Sequence, residues 1–422
     1  MIVGNSLPQL LGLGSFPAER IGQVRRQGGR ARRNPNRAIR IGWPSAPPTR
    51  QGTIVNTKTV KISLLTLLLF LPNASAGVLG KLGELDRVNR RLHGQVVDFT
   101  HNHGCDHRIW SEALHQRRDL YVYLPPGFDP HHSYPLVLWL HGFAQDEQSF
   151  LEQVVSPLDC AIATGKLPPV IIAAPDGSLN GEPCYFTAGS FFLNSKAGCF
   201  EDFIMLDVWN FLHANFPIRP EREAHVLAGV SMGGGAAYTL AIKYRDRFKV
   251  VVGIFPPLNT RWVDCHCRYM SDFDPCCWGW KTDFSHGWEV VGRFYGVITI
   301  RLKRVIDPLY GRGPQTAELI SLENPIEMID RLCLKPGELS MYVAYGAKDQ
   351  FNIDAQVESF LYRAKERGLC VDTGYDPRGK HDLRTAKRLL PGILDWLRPL
   401  LAPYSPPLSS FSAPACLNSS GE

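Results

Sequence analysis

The apolar residues of this chain follow two periods that alternate along most of its length. Short apolar or alternating runs predict β-strands, and segments with an apolar residue every three to four positions predict helices. The predicted strands cover residues 118–124, 136–140, 170–174, 225–230, 250–255 and 340–345. The predicted helices cover residues 201–216, 236–247, 355–367 and 383–397, and we expect the last one to be kinked or broken at Pro391-Gly392.

Strands that alternate with helices favour a mostly parallel sheet with helices on both faces. Some predicted strands, such as residues 136–140, are apolar throughout, as expected for strands that are buried on both sides. We therefore predict the α/β class, with one domain over residues 77–403 that an insertion at about residues 256–330 interrupts.

The N-terminal region has the pattern of a targeting segment. Lys58 and Lys61 precede a ten-residue, largely apolar run at residues 62–71, and Ala74-Ser75-Ala76 follows it. A basic start, a short apolar run and an Ala-x-Ala site predict a signal peptide over residues 58–76. Ten residues are too few for a helix to span a bilayer. We therefore expect an exported protein, secreted or periplasmic, without a stable membrane span.

The charge distribution changes how the first residues are interpreted. The 422 residues carry a net charge of +6, but residues 1–57 hold nine Arg and one Glu. The chain after residue 76 holds 35 basic and 39 acidic residues, so we predict no nucleic-acid partner. Residues 1–57 are a basic low-complexity extension. Either the start site is placed too early, or the segment is disordered, or Arg25-Arg26 or Arg32-Arg33 belongs to a twin-arginine signal.

The expected oxidation state of the cysteines also depends on export. All 11 Cys follow residue 76. In an oxidising compartment we expect most of them to form disulfides, with at least one thiol left over because the number is odd. Residues 404–422 are rich in Ser and Pro, and we predict a disordered tail there.

One short motif indicates chemistry. Gly229-Val230-Ser231-Met232-Gly233 lies between a predicted strand and a predicted helix. A Gly-x-Ser-x-Gly sequence at such a turn exposes the Ser hydroxyl at the sheet edge, where a helix N-terminus stabilises developing negative charge. A Gly-rich turn with a passive Ser is the alternative. We predict that Ser231 is a nucleophile.

A nucleophilic Ser needs a His base and a carboxylate that orients it, and in this context the acid and then the His follow the Ser along the chain. Asp349 follows the strand at residues 340–345, and His381 precedes the last helix. We predict Asp349 and His381 as the partners of Ser231. Asp354 is the second candidate for the acid, and Asp376 is a weaker third.

Backbone N–H groups have to bind the oxyanion that forms when such a Ser attacks an ester. Met232, directly after the nucleophile, offers one such group. The loop His141-Gly142-Phe143 follows a predicted strand, and we expect Phe143 to offer the other. We expect His141 to hold this loop rather than to act as a base.

At this point the chain resembles the putative esterase family of the α/β hydrolases. That family includes S-formylglutathione hydrolases, feruloyl and acetylxylan esterases, and the antigen 85 mycolyltransferases. The resemblance implies the α/β-hydrolase fold and acyl transfer through an acyl-Ser231 intermediate. The matching pieces, in order over roughly residues 95–400, are Tyr121-Val-Tyr-Leu-Pro-Pro-Gly127, Leu138-Trp-Leu-His-Gly142, Pro175-Asp-Gly177, Glu201-Asp202, Gly229-Val-Ser-Met-Gly-Gly234, Gly346-Ala-Lys-Asp349 and Gly379-Lys-His381.

Residues 256–330 depart from the family pattern because they are dense in Cys and aromatic residues. In this family, an insertion at this place often forms the lid or one wall of the acyl pocket. We hypothesise a disulfide-stapled lid in which Trp278 or Trp280 binds substrate. The alternative is an insertion with no role in substrate binding, because loops tolerate insertions at a small cost in stability.

Two clusters have the residue types of a metal site. Cys265-His266-Cys267 with Cys276-Cys277 lacks paired C-x-x-C spacing, and residues 101–107 place three His and one Cys on an early strand or turn. We predict no metal at either cluster. The chain has no Gly-rich phosphate loop or dinucleotide motif, so we predict no cofactor.

The sequence therefore predicts an exported serine carboxylic-ester hydrolase. Its partner would be a small-molecule or carbohydrate-linked ester, such as an acyl or feruloyl ester. An acyltransferase that uses the same residues is one alternative, and a non-catalytic binding protein on a hydrolase scaffold is another. The sequence does not define the oligomeric state.

Overall fold

A computed structural model describes residues 83–184, 189–294 and 298–407. The predicted extension, the signal peptide and the tail beyond residue 407 lie outside these residues. The centre of the fold is an eight-stranded sheet with the strand order β1-β2-β4-β3-β5-β6-β7-β8. Its strands are β1 Gln95–Phe99, β2 Leu120–Leu124, β3 Leu136–Leu140, β4 Ile171–Pro175, β5 His225–Val230, β6 Val250–Ile254, β7 Ser340–Gly346 and β8 Val371–Asp376.

The sheet is mostly parallel, as predicted. Strands β3 to β8 pair in parallel, while β2 pairs antiparallel with both β1 and β4. Strands β2, β4 and β6 are buried along their whole length, and β3, β5 and β7 each have one partly exposed residue. This burial explains why most of these strands appear in the sequence as continuous apolar runs.

Helices cover the sheet. Their bounds are α1 Glu84–Asn89, α2 Val155–Ala163, α3 Trp209–Asn215, α4 Met232–Lys243, α5 Leu302–Tyr310, α6 Thr316–Leu322, α7 Pro325–Arg331, α8 Ile353–Glu366 and α9 Leu383–Leu401. A π-helical segment precedes α2 at Phe150–Val154, and Phe200–Asp202 and π-helical Phe203–Val208 lead into α3. None of the helices in the described ranges is long and apolar enough to cross a membrane.

The two faces of the sheet are covered by different helices. Because side chains alternate along a strand, Ala228 and Val230 of β5 point to one face and Gly229 points to the other. The first two line a cavity with residues of α2 and α9, whereas Gly229 lies against Gly233 of α4. The prediction of helices on both faces is therefore confirmed.

Two predicted helices differ from the observed ones. Helix α4 begins at Met232, four residues before the predicted start. The glycines at 233–235 have low helix propensity, but they belong to the helix because their lack of side chains lets it approach the sheet closely. Helix α9 runs without a break through Pro391, so of the two expected forms, kinked or broken, the broken one is wrong. A proline removes one backbone hydrogen bond, and the buried apolar face of α9 holds the rest of the helix in place.

The insertion contains two hairpins followed by helices α5 to α7. The hairpins are Trp262–Asp264 with Trp278–Trp280, and Val290–Phe294 with Ile298–Arg301. Part of the insertion has a small apolar core of its own, formed by Phe284, Leu302, Ile306 and Ile320.

In the described part of the chain, two cysteines form a disulfide and others are thiols. A disulfide joins Cys265 to Cys277 and closes the loop of the first hairpin. Five exposed cysteines are thiols: Cys105, Cys267, Cys276, Cys333 and Cys370. The region is disulfide-stapled, as hypothesised, but through one pair of its four cysteines.

Candidate active site

Ser231 lies at the turn between β5 and α4 with a strained backbone. Its φ of 54° and ψ of −120° are in a region that residues with a side chain rarely adopt. Its N–H donates to the Ile254 carbonyl at 2.7 Å, which fixes the turn against the end of β6. This is the geometry expected of a nucleophile that projects from a sharp strand-to-helix turn.

Glycines on both sides of Ser231 make this turn possible. A Cβ atom at Gly229 would lie 2.5 Å from the backbone of Gly233 and 2.7 Å from the Leu140 carbonyl oxygen. A Cβ at Gly233 would overlap the Leu140 carbonyl and lie 2.5 Å from the His141 carbonyl oxygen. Strand and helix are therefore in backbone contact, and no side chain fits between them.

His381 and Asp349 are joined directly. The His381 Nδ1 lies 2.8 Å from Asp349 Oδ2, and the other carboxylate oxygen accepts from the Phe351 N–H at 2.8 Å. The Asp349 side chain is 1% exposed and that of His381 is 11% exposed, so the bond is largely shielded from water. A carboxylate on Nδ1 holds the proton there and leaves Nε2 as the basic nitrogen.

Two aromatic rings that the sequence did not reveal flank the imidazole. The ring centres of Phe255 and Phe351 lie 5.0 Å and 4.9 Å from that of His381. The Gln350 side chain binds both the N–H and the carbonyl of His381, at 3.2 Å and 3.3 Å. These contacts hold the loop that carries the His against the loop that carries the acid.

The other two acids have different surroundings. Asp354 lies in the first turn of α8, where burial and the charge of Asp349 raise its pKa to about 6. Asp376 ends β8 and forms an ion pair with Arg388 at 2.7 Å. The acid that contacts His381 is therefore Asp349.

The insertion braces the turn after Asp349. The Tyr269 hydroxyl donates to the Phe351 carbonyl at 2.7 Å and accepts from Gln356 at 3.0 Å. The Asn352 side chain in turn donates to the Tyr269 carbonyl at 2.7 Å. Tyr269 thus links the insertion to the segment that positions the carboxylate.

The loop after β3 lies beside Ser231. A Cβ at Gly142 would be 3.6 Å from the Cβ of Ser231, and the Gly142 N–H already donates to Gln145 at 2.8 Å. Phe143 and Met232 both line a cavity that Ser231 and His381 share. Met232 is the first residue of α4, and N–H groups in the first helical turn have no acceptor within their helix.

His141 holds this loop in place, as expected. Its Nε2 accepts from the Gly177 N–H at 2.8 Å, and its Nδ1 donates to the Gly142 carbonyl at 2.9 Å. Burial lowers the pKa of His141, so the ring is the neutral tautomer that makes both bonds.

Two cavities meet at the reactive groups. The larger measures about 940 Å³ and the smaller about 150 Å³. Ser231, His381 and Phe143 line both of them. Both cavities therefore reach Ser231 and His381.

Trp278 and Trp280 are not where the lid hypothesis placed them. Neither residue is among those that line these two cavities. The two indoles lie 5.1 Å apart on one strand, packed against the main core, and Arg261 stacks over Trp280. The pairing of Trp262 with Trp280 in the hairpin directs the two indoles toward the core. Other insertion residues, including Tyr269 and Met270, line the cavities.

Three buried carboxylates lie close together near the loop that follows β3, His141-Gly142-Phe143. Oxygens of Asp119, Glu147 and Asp176 lie within 4.8 Å of one another, and Arg118 pairs with Asp176 at 2.6 Å. Burial and the charge of Asp176 raise the pKa of Glu147 well above its usual value, which favours its protonated form. At the hairpin, Cys265, His266 and Cys277 are also close, but the disulfide leaves neither sulfur as a thiolate ligand.

Comparisons with known proteins agree with this architecture. The family model described as "Putative esterase" matches residues 111–381. S-formylglutathione hydrolase from Arabidopsis thaliana is 26% identical over 183 residues, which are 39% of this chain and 62% of that protein. Endo-1,4-beta-xylanase Y from Acetivibrio thermocellus is 29% identical over 152 residues, 35% of this chain and 13% of that protein. The chain thus spans less than two thirds of the length of these curated relatives.

A solved structure of a ferulic acid esterase superimposes with a TM-score of 0.52 at 16% identity. The superposition covers 74% of this chain and 99% of the ferulic acid esterase chain. At that identity the likeness shows the fold, which is the α/β-hydrolase fold. Since the family match extends over more than half of the chain and includes both Ser231 and His381, the chain belongs to the putative esterase family.

Proposed function

We propose that this protein is a serine carboxylic-ester hydrolase with Ser231 as nucleophile, His381 as base and Asp349 as the acid that orients it. One observation carries the proposal. The imidazole that Asp349 holds through Nδ1 lines the same cavities as a serine in the strained conformation of a nucleophile turn.

The reaction follows from these positions. His381 Nε2 takes the proton of Ser231 Oγ as that oxygen attacks the ester carbonyl carbon. The N–H groups of Phe143 and Met232 bind the oxyanion, and Asp349 stabilises the imidazolium. His381 then gives its proton to the leaving alcohol, and an acyl-Ser231 ester remains. Water, activated by the same His381, releases the acid and restores Ser231.

The proposal includes export and an ester substrate of the acyl or feruloyl type. Export rests on the signal-peptide pattern at residues 58–76. The substrate class is supported by the family and by the activities of proteins that this chain is similar to, among them a ferulic acid esterase. An acyltransferase would use the same three residues, with an alcohol in place of water in the last step.

The test is hydrolysis of p-nitrophenyl acetate and methyl ferulate by the full chain. We expect Ser231→Ala to lower kcat by about 10⁴-fold or more while the melting temperature stays near that of the wild type. Ser285→Ala, which removes an exposed hydroxyl in the insertion, is the matched control and should keep full activity. A Ser231→Ala protein that hydrolyses either ester at the wild-type rate would refute the assignment.

A further inference from the structure

The larger cavity extends far beyond what an ester carbonyl needs. It lies between one face of the sheet and helices α2 and α9, and its volume of about 940 Å³ is near the top of the range for small-molecule sites. Side chains from all three elements form its walls, including Trp139, Ala228, Val252, Leu158, Leu394 and Leu397. All of these are apolar except for the indole N–H of Trp139, which is buried without a hydrogen-bond partner among the described residues.

Most polar residues of this cavity lie on the loops that carry the reactive groups or at the start of α9, and two others, Gln153 and Arg293, lie just before α2 and in the second hairpin. Gln145, Lys348, Gln350 and Lys380 lie on the loops around the reactive groups, and Lys387 lies near the start of α9. The residues that line the cavity further along α9 are apolar. A ligand there would therefore keep a polar group at Ser231 and bury an apolar one.

The depth of the cavity suggests a chain-like ligand. Its lining follows α9 from Ala386 to Leu397. At 1.5 Å per residue this distance is about 16 Å along the helix axis. An acetyl or formyl group would leave nearly all of this apolar surface without a partner, and a flat feruloyl group would leave much of it. An unbranched hydrocarbon chain would cover it.

We propose that the cavity between the sheet and helices α2 and α9 binds the acyl chain of a medium- or long-chain fatty acyl ester. The inference rests on the proposed function, because it takes Ser231 as the atom that receives the acyl group. The alcohol half of the ester faces the polar mouth and the smaller cavity of about 150 Å³.

The experiment compares acyl chains of increasing length on the full-length protein. Each buried methylene should raise kcat/KM by about fourfold until the chain fills the cavity. Burial of only two of the added methylenes would already give more than about tenfold, so we expect kcat/KM for p-nitrophenyl octanoate and decanoate to exceed that for the acetate ester by at least that factor. The variant that tests the site is Ala386→Phe, which places a ring in the cavity from a partly buried position on α9.

Ala386→Phe should lower kcat/KM for the decanoate ester at least about tenfold and leave that for the acetate ester within about twofold. The matched control is Ala163→Phe, because Ala163 is also a partly buried helical alanine but does not line the cavity. Ala228→Leu, which narrows the cavity from the sheet side, should reproduce the effect if α9 tolerates the first change poorly.

A second measurement separates this proposal from the proposed function. Ser231→Ala should bind a fluorescent fatty acid that decanoate displaces, and Ala386→Phe in the same background should weaken that binding. If Ser231→Ala keeps esterase activity but binds the fatty acid, the proposed nucleophile fails and the site stands. Equal kcat/KM for all chain lengths, or an Ala386→Phe effect as large on acetate as on decanoate, would overturn the acyl-chain site.

Discussion

The turn around Ser231 and the insertion at about residues 256–330 border the same reactive groups, but different contacts hold them in place. At the turn, the backbones of β5, α4 and β3 touch, with glycines where any side chain would collide. In the insertion, one disulfide, a small apolar cluster and side-chain hydrogen bonds such as those of Tyr269 maintain the structure. At Gly229 and Gly233 of the turn an added Cβ would collide with backbone, whereas at Gly279 of the insertion it would have open space.

This difference separates chemistry from selectivity. In the proposed reaction, the atoms that attack the carbonyl and bind the oxyanion must be placed within about 0.5 Å, and the backbone contacts around Ser231 restrict its position. The walls that receive the rest of the substrate need only an approximate shape, which side chains can supply. We therefore expect substitutions at the turn to abolish activity, and substitutions in the insertion to change which substrates the protein accepts.

The largest effect should come from adding one methyl group at the turn. Gly233→Ala forces a Cβ onto the Leu140 carbonyl, and we expect a loss of about 3 kcal/mol or more in the free energy of unfolding. Gly279→Ala in the insertion hairpin is the control, because a Cβ there has open space around it. Thermal or urea unfolding measures both. Equal losses for the two variants would remove the contrast between the regions.

An intermediate effect is expected from the insertion's disulfide. Replacing both Cys265 and Cys277 by Ala opens a 12-residue loop, a change worth up to about 3 kcal/mol for the unit that contains it. Cys267→Ala with Cys276→Ala, which removes two exposed thiols of the same loop, is the matched control. Limited proteolysis should cut the first variant faster within residues 262–280 and leave the sheet intact. Unchanged cleavage would mean that the hairpin does not depend on the bridge.

The smallest effect depends on pH and concerns Glu147, which belongs to the buried cluster of three carboxylates. The native state raises the pKa of Glu147, so the native state holds this proton more tightly than the unfolded chain does. The resulting stability is fully present below the usual Glu pKa and is lost as pH rises through the higher native value. Glu147→Gln cannot lose a proton, and its amide can donate toward the neighbouring carboxylates.

We therefore expect the melting temperature of Glu147→Gln to exceed that of the wild type at pH 8, with a smaller gap at pH 5. Glu223→Gln is the comparison, since Glu223 has a lowered pKa beside Arg222 and its loss should give no such gain. A gap that widens toward acid pH would show that Glu147 is ionised in the native protein.

Features that rest on local sequence could be predicted. The strand, the Gly-x-Ser-x-Gly turn and the following helix are consecutive in the chain, and steric exclusion at Gly229 and Gly233 leaves a direct mark in the sequence. The order of Asp349 and His381 also identified two residues that the structure joins by a hydrogen bond. Strand β8, Val371–Asp376, was missed because it lies at the sheet edge and alternates polar with small or partly exposed residues.

Features that rest on distant contacts could not be predicted. Tyr269 bonds to Phe351, 82 residues away, and nothing near either residue indicates the pairing. The tryptophans of the insertion marked an aromatic region, but the register of their hairpin decides which way they point. The large cavity depends on the spacing between α2 and α9, two helices that no local pattern relates to each other.

The left-handed backbone at Ser231 has a consequence for how this protein can evolve. A residue with a side chain in that conformation costs roughly 1–3 kcal/mol, and glycine would avoid most of that cost. Selection for stability alone would therefore favour glycine at this position, and a lineage that no longer needed the reaction would have a short mutational path away from serine. Under the proposed function, the serine persists against that pressure only while its hydroxyl is in use.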